Sequence, residues 1–374
     1  MISDNGKLSN YFPQLTGFRA LAAAMVFFHH FNPAVEHPFL ISFYDFFSEM
    51  HVGVSLFFVL SGFLITYRYK SSFQISFSWF SQYFLNRFAR IYPVYALLTL
   101  LSYAIYILFP FINESTINTE FKTLFYNLTL IRGFFSGYKF TLIKQGWSLT
   151  VEEVFYLCCP FILLLINRYK ISILLIWLCL TGVGFILCLM GNTISTDGFF
   201  SPTKFMLGYT FFGRSFEFLL GVLLGLNIEK MVMVKDGKNP LALLTFTGIA
   251  GIVLMLKVLA CVRGDSSVGI QTFSGILANN FVLPFFVCAF IAGLILENSW
   301  ITNVLKTKFF ELLGRASYTF YLIHMGILQV FLGHHLQFNY WVVFILLWLV
   351  SILIYWFYEE RMNHLIRKLS KGSR

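Results

Sequence analysis

The stretch Ile171–Met190 reads ISILLIWLCLTGVGFILCLM and holds no Asp, Glu, Lys or Arg. A helix rises about 1.5 Å per residue, so about twenty such residues cross the roughly 30 Å hydrocarbon layer of a bilayer. Arg168 and Lys170 stand immediately before it, where a membrane–water boundary favours basic side chains. Outward from this segment the pattern recurs at about 15–33, 51–69, 88–110, 147–166, 205–227, 241–262, 275–296, 312–333 and 340–358. The expected fold class is all-α: a polytopic membrane protein with about ten transmembrane helices, one domain over 1–374 and no appended soluble domain. Between Asn113 and Gln145 lies the longest connection, in which Phe121–Phe135 is a candidate for an interfacial or re-entrant helix. Pro33, Pro38, Pro202 and Pro240 fall in or beside connections, as chain breakers should.

Composition agrees with a lipid-facing chain. Hydrophobic residues make up 58% and charged residues 12%, against about 25% charged in ordinary soluble domains. The net charge of +10 is spread over short connections and forms no continuous basic patch, so the expected partner is the bilayer and not nucleic acid. Cys158, Cys159, Cys179, Cys188, Cys261 and Cys288 mostly lie within apolar runs and lack the paired spacing of a zinc site or disulfide framework. No metal is expected. Lys7 and Arg19 precede an apolar run as in a signal peptide, but no small-x-small cleavage signal follows and many further spans do. The run is therefore retained as the first helix.

Placing the N-terminus in the cytoplasm puts Lys7, Arg19, Arg68, Lys70, Arg87, Arg90, Arg168, Lys170, Lys230, Lys235, Lys238, Lys306, Lys308 and Arg315 inside, together with tail residues Arg361, Arg367, Lys368, Lys371 and Arg374. Lys122, Arg132, Lys139, Lys144, Lys204 and Arg263 fall outside. The excess predicts both termini cytoplasmic.

Ionisable groups within the hydrocarbon cost at least ~2.5 kcal/mol by insertion scales, so each calls for a partner or a task. Arg19 and His30 are eleven residues apart, three helical turns plus roughly 20°, and share a face about 16 Å long. His29 points roughly 80° away from Arg19, which makes His30 the better candidate base; a snorkelling Arg with an interfacial His competes equally on these residues alone. In Gly53–Phe63 the small residues Gly53, Ser55, Ser61 and Gly62 favour close helix packing. Arg87 and Arg90, one turn apart, can grip one anion or simply anchor a cytoplasmic end. Glu152 and Glu153 enter an apolar segment after Trp147-Ser-Leu, and can orient a histidine, bind hydroxyls or form an ion pair. Arg214 and Glu217, at i and i+3, read as a mutually neutralising pair. Tyr318, Tyr321 and His324 form a slowly turning polar stripe that could line a cavity.

Five of these runs occur in a recognisable order: Gly17-Phe-Arg19 through His30-Phe31, Phe57-Phe-Val-Leu-Ser-Gly-Phe63, Arg87-Phe-Ala-Arg-Ile-Tyr-Pro93, Trp147-Ser-Leu with Glu152, and Gly314-Arg-Ala-Ser-Tyr-Thr-Phe-Tyr-Leu-Ile-His324. Together they resemble the integral-membrane acyltransferase family 3, which includes bacterial O-antigen and Nod-factor O-acetyltransferases. The resemblance covers nearly the whole chain. Arg19 and His30 match the family's Arg-x10-His element, Arg87 and Arg90 its Arg-x-x-Arg element, and Glu152 its carboxylate, with Glu153 able to share that role. Many members carry Asp in the second helix where this chain has Ser55.

The resemblance implies a membrane-bound O-acyltransferase, most simply an O-acetyltransferase, in a bacterial cytoplasmic (inner) membrane. Acetyl-CoA or another acyl-CoA would be donor and a cell-surface or exported carbohydrate the acceptor. Arg19, Arg87 and Arg90 would bind the CoA phosphates, His30 would act as base, and Glu152 would orient it. Ser61, Glu153, Tyr318, Tyr321 and His324 are candidate cavity-lining residues. The alternative is a polytopic transporter of a small anionic or glycan-related solute, since intramembrane His, Glu and Arg also form proton and substrate paths. The two related halves with discontinuous helices found in many transporters are not visible in the sequence. Acceptor, acyl-chain length, covalent or direct transfer, and oligomeric state are not encoded in any motif.

Overall fold

The computed structural model describes residues 11–109, 120–194, 197–234 and 242–372. In chain order the principal helices are α1 (Pro13–His30), α2 (Gly53–Tyr69), α3 (Phe77–Leu108), α4 (Phe121–Leu128), α5 (Trp147–Asn167), α6 (Ile173–Ile194), α7 (Thr203–Tyr209), α8 (Phe211–Val234), α9 (Leu243–Val262), α10 (Leu283–Leu296), α11 (Lys308–Ile323), α12 (Tyr340–Ile354) and α13 (Glu360–Gly372). Among the described residues the only β pairing is an isolated bridge between Phe135 and Phe199.

Local chemistry sets the helix starts. Pro13 opens α1, where its missing N–H costs nothing because the first turn has no intrahelical acceptor. Ser76 accepts from the Trp79 N–H at the start of α3, and Asn339 from the Val342 N–H at the start of α12, each satisfying one otherwise orphaned donor. Pro93 and Pro160 lie inside α3 and α5, as membrane helices allow when packing re-satisfies the backbone.

Among the described residues, eight helical segments are long and apolar enough to cross a membrane. Lys308–Ile323 with Ile327–Gly333, bent by 79°, makes a ninth if the pair is one broken span. The chain is a multi-pass integral membrane protein. These segments cover nine of the ten expected positions. The expected span at 312–333 breaks at 324–326 and is not one straight rod. The expected first span is present as α1, but with Gln14, Thr16, Arg19, His29 and His30 it is not among the segments of sufficient apolarity. The Phe121–Phe135 stretch does hold short helix, α4 and the 3-10 turn Ile131–Phe134. Lys7, Lys235, Lys238, Pro240 and Arg374 lie outside the described residues.

Only 17% of the apolar window of Ile173–Thr193 is buried, against 72% for Thr203–Val232, so α6 presents its side chains to lipid whereas α8 is packed within protein. Leu174, Leu178, Ile186 and Leu189 are correspondingly exposed, a pattern that water would oppose and hydrocarbon accepts.

The helices cluster into two compact units: Met1–Ser72, Phe161–Thr181 and Gly213–Arg315, and Phe73–Pro160, Gly182–Phe212 and Ala316–Arg374. In the first, Phe18 and Ala22 of α1, Val59 and Phe63 of α2, Ile228 of α8, Leu256 of α9 and Ile291 of α10 belong to one apolar core. A Cβ on Gly62 would lie 2.2 Å from the Phe218 carbonyl oxygen, and one on Gly221 would lie 2.1 Å from that of Val59. Reciprocal glycines thus bring the α2 and α8 backbones together. In the second unit, Tyr83 donates to the Tyr156 carbonyl (3.0 Å), Tyr95 to that of Asn127 (2.9 Å) and Tyr318 to that of Ile91 (2.8 Å). These tyrosines tie α3 to α5, α4 and α11.

Candidate active site

The first unit places Arg19, His30 and Ser61. Arg19 is half-buried in α1, its guanidinium carbon 5.8 Å from the centre of the Phe57 ring of α2. That distance fits a cation–π contact, which orients the side chain toward α2. Ser61 is half-buried on α2, and His30 is the exposed last residue of α1. Just beyond, Asn32 accepts from the Ala34 N–H (3.0 Å) and donates to the Tyr44 carbonyl (2.9 Å) and the Ser48 hydroxyl (3.1 Å). It pins the following turns against the helix end.

Those turns carry polar residues that sequence reasoning missed. His29 Nδ1 donates to the Ser48 carbonyl at 2.6 Å, so in the neutral ring Nε2 is the proton acceptor. Its ring centre is 4.5 Å from that of His30 and 5.4 Å from that of His51. His51 Nε2 lies 3.0 Å from Glu49 Oε2, and the fully buried Glu49 accepts the Gly269 N–H on both oxygens, at 2.9 and 3.0 Å. The available signal was Glu49-Met-His51 directly before the apolar run, but its partner Gly269 is 220 residues away.

The second unit gathers Arg87, Arg90, Glu152, Glu153, Tyr318, Tyr321 and His324. Buried Arg87 lies with its guanidinium carbon 5.8 Å from the Tyr156 ring centre, and the Tyr156 hydroxyl donates to the Glu152 carboxylate. Arg87 interacts electrostatically with Glu153, and Tyr318 with both carboxylates. Arg87, Tyr156 and Glu152 therefore form one polar node, whose charges act on Glu153 and Tyr318. Arg90, one turn on, is half-buried.

Tyr321 and His324 belong to a neighbouring node on the connection before α5. The Tyr321 hydroxyl pairs with that of Ser148 at 2.7 Å, and Gln145 Nε2 donates to the Tyr321 carbonyl at 2.7 Å. His324 is buried, its Nδ1 donating to the same carbonyl at 2.8 Å, its ring stacked on Phe320 and Phe320 in turn on Trp348. Fully buried Arg132 holds this connection together by donating to Asn127 Oδ1 and to the Thr141 and Ile143 carbonyls. Burial lowers the Arg132 pKa from its ordinary value, with Tyr95 and Tyr321 opposing the shift. From sequence Arg132 reads as an outside connection charge. Among the described residues, no group of three His, Cys, Asp or Glu is arranged to hold a metal.

A family model described as an acyltransferase domain matches residues 12–359. The chain belongs to this acyltransferase domain family. It is similar to the peptidoglycan O-acetyltransferase OatA of Listeria monocytogenes serovar 1/2a, with 25% identity over 337 residues, 86% of this chain and 50% of the relative. It is similar also to the O-acetyltransferase OatA of Staphylococcus aureus (strain NCTC 8325 / PS 47), with 24% identity over 346 residues, 87% of this chain and 52% of the relative. The chain spans about half the length of the curated relatives it matches. No solved structure matches.

In this acyltransferase-family chain the second-helix Ser55 has a defined neighbourhood. Arg214 Nη2 donates to Ser55 Oγ at 2.9 Å and to Glu217 Oε1 at 2.7 Å. Ser55 donates to Asn279 Oδ1 at 3.3 Å, Asn279 to Asn280 Oδ1 at 2.9 Å, and Asn280 to the Gly213 carbonyl at 3.2 Å. Glu217 supplies the negative charge beside Arg214 from its own helix, so a neutral Ser55 suffices at that contact.

Proposed function

We propose that the chain is a membrane-bound O-acyltransferase, in the first instance an O-acetyltransferase, carrying an acyl group from cytoplasmic acyl-CoA to a hydroxyl of a cell-surface or exported carbohydrate. The observation that carries this reading is the match to an acyltransferase domain over 12–359, which contains Arg19, His30, Arg87, Arg90 and Glu152. The Listeria relative's name makes a peptidoglycan-type glycan the first acceptor to assay.

In the proposed reaction His30 takes the proton of the acceptor hydroxyl as its oxygen attacks the thioester carbonyl. The carbon–sulfur bond breaks, and the CoA thiolate leaves and recovers the proton. A positioned general base of this kind contributes roughly 10²–10⁴-fold. His29 is a second imidazole within ring contact of His30, and its Ser48 bond favours one tautomer. Arg19 and Arg90 are assigned to the CoA phosphates. Arg87 is assigned to the same role; its guanidinium also lies over the Tyr156 ring, and its charge acts on Glu153. Glu152, fixed by the Tyr156 hydroxyl, and Glu153 are assigned to hydroxyl recognition and proton handling. Both termini and the donor site are assigned to the cytoplasmic side of a bacterial inner membrane.

The test is purified full chain in lipid nanodiscs with acetyl-CoA labelled in the acetyl group and a peptidoglycan or other glycan extract, comparing the parent with His30→Ala. Label should appear in the glycan only with the parent, with an unchanged unfolding temperature in the variant. Equal transfer by His30→Ala would remove His30 from the reaction. No transfer from any acyl-CoA would overturn the activity itself.

A further inference from the structure

α12 continues through the π-helical turn Tyr355–Glu359 into α13, and the twenty or so residues from Tyr340 to Glu359 already span about 30 Å, the full hydrocarbon thickness. α13 therefore begins where the headgroups begin. Trp356 and Phe357, both exposed, sit at the level at which aromatic side chains collect in membrane proteins.

From that point the helix surface changes character. At 100° per residue, Met362, Leu365, Ile366 and Leu369 occupy one arc of α13, and Arg361, His364, Arg367 and Lys368 occupy another. Arg361, His364, Leu365, Lys368 and Leu369 are exposed, whereas Met362, Asn363, Ile366 and Arg367 are partly covered. The open face thus brings the edge of the cationic arc against the edge of the apolar arc. Trp356, Glu360, Arg361, His364, Leu365 and Lys368 line a shallow groove of about 510 Å³ on that face. Arg361 is steadied over the Phe357 ring, its guanidinium carbon 5.6 Å from the centre, and Glu360 accepts from the Tyr355 hydroxyl at 3.0 Å.

We propose that this groove at the junction of α12 and α13 is a binding site for the headgroup of an anionic glycerophospholipid. Arg361 and Lys368 hold the phosphodiester, His364 offers a further hydrogen bond, and Trp356 and Leu365 cover the glycerol end of the acyl chains. Glu360 faces the same groove and accepts from headgroup hydroxyls, which favours phosphatidylglycerol over a headgroup bearing phosphate alone. Charge complementarity singles out the lipid: the groove carries two permanent cations against one carboxylate, and it starts at the end of the spanning segment, toward which the long Arg361 and Lys368 side chains can reach.

The experiment uses full-chain protein in phosphatidylcholine nanodiscs doped with brominated phosphatidylglycerol or, at equal mole fraction, brominated phosphatidylcholine. The Trp356 signal is taken as the difference between the parent and Trp356→Phe. Apparent affinity for brominated phosphatidylglycerol should exceed that for phosphatidylcholine by at least about 5-fold, the value of one basic residue at an anionic surface. In Arg361→Gln/Lys368→Gln the preference should vanish, with helicity by circular dichroism unchanged; if that pair unfolds the protein, Lys368→Gln alone should still lower it. Equal quenching by both lipids in the parent, or an undiminished preference in a folded variant, overturns the proposal. Displacement by glycerol phosphate beyond that caused by chloride at equal ionic strength would reassign the groove to a soluble phosphate and overturn the lipid assignment.

Discussion

At Arg214 a guanidinium only 1% exposed lies in a largely apolar helix, one turn from a Glu217 that is not exposed at all. Removing one partner of a buried ion pair strands the other, which costs about 3–5 kcal/mol, whereas replacing both with apolar residues is far milder. Arg214→Ala should therefore lower thermal stability in detergent sharply, and Arg214→Leu/Glu217→Leu should recover much of the loss in the same melt. Arg90 and Arg87 separate in a similar way. Arg90→Ala should raise the KM for acyl-CoA by roughly 10-fold or more, the worth of one charge-assisted hydrogen bond, with kcat little changed. Arg87→Ala should change both parameters, because Arg87 also lies over the ring of Tyr156, whose hydroxyl holds Glu152. Steady-state kinetics with varied donor reads both, and an Arg90→Ala enzyme with unaltered donor KM would remove that residue from the phosphate site.

At the scale of elements, the contact between α2 and α8 rests on glycines that face backbone in both directions, Gly62 toward Phe218 and Gly221 toward Val59. With no hydrophobic driving force between helices in lipid, close backbone approach and dense packing hold them. Gly221→Leu should push the helices apart and destabilise the first unit by about 1–3 kcal/mol, as overpacking does; a melting temperature equal to that of the parent would contradict the contact. Small residues in Gly53–Phe63 were legible as a packing surface, and Gly53 and Gly62 serve it as expected, against the Ala22 and Phe218 carbonyls. The partner helix was not legible, since nothing along the chain orders α8 against α2 across about 150 residues. Arg132 was hidden for a related reason: a lone Arg in a connection looks solvated until its carbonyl partners fold around it.

For the whole molecule, the basic residues predict both termini on the cytoplasmic side. Tags at either end should accordingly be protected from external protease in intact spheroplasts and cleaved after permeabilisation; cleavage of one tag in intact cells would show an odd number of crossings. The bend at 324–326 bears on that number, because a 79° break makes Lys308–Gly333 either one broken span or a re-entrant segment. Cysteine accessibility scanned along 308–335 distinguishes the two. A broken span labels from opposite sides at its ends, and a re-entrant segment labels from one.

By itself the sequence determined that the chain is helical and lives in a bilayer, because apolar length and charge at the segment ends are local quantities read along the chain. It also placed Arg19, His30, Arg87, Arg90 and Glu152 in the order of a known enzyme family. Only the tertiary structure joined Glu49 to His51 and Gly269, set His29 against the Ser48 carbonyl, and put Arg87 beside Tyr156. Those contacts depend on which backbone groups meet across turns and helices, and the hydrogen-bonding needs of a buried carboxylate or guanidinium can be met by many partners until packing selects one.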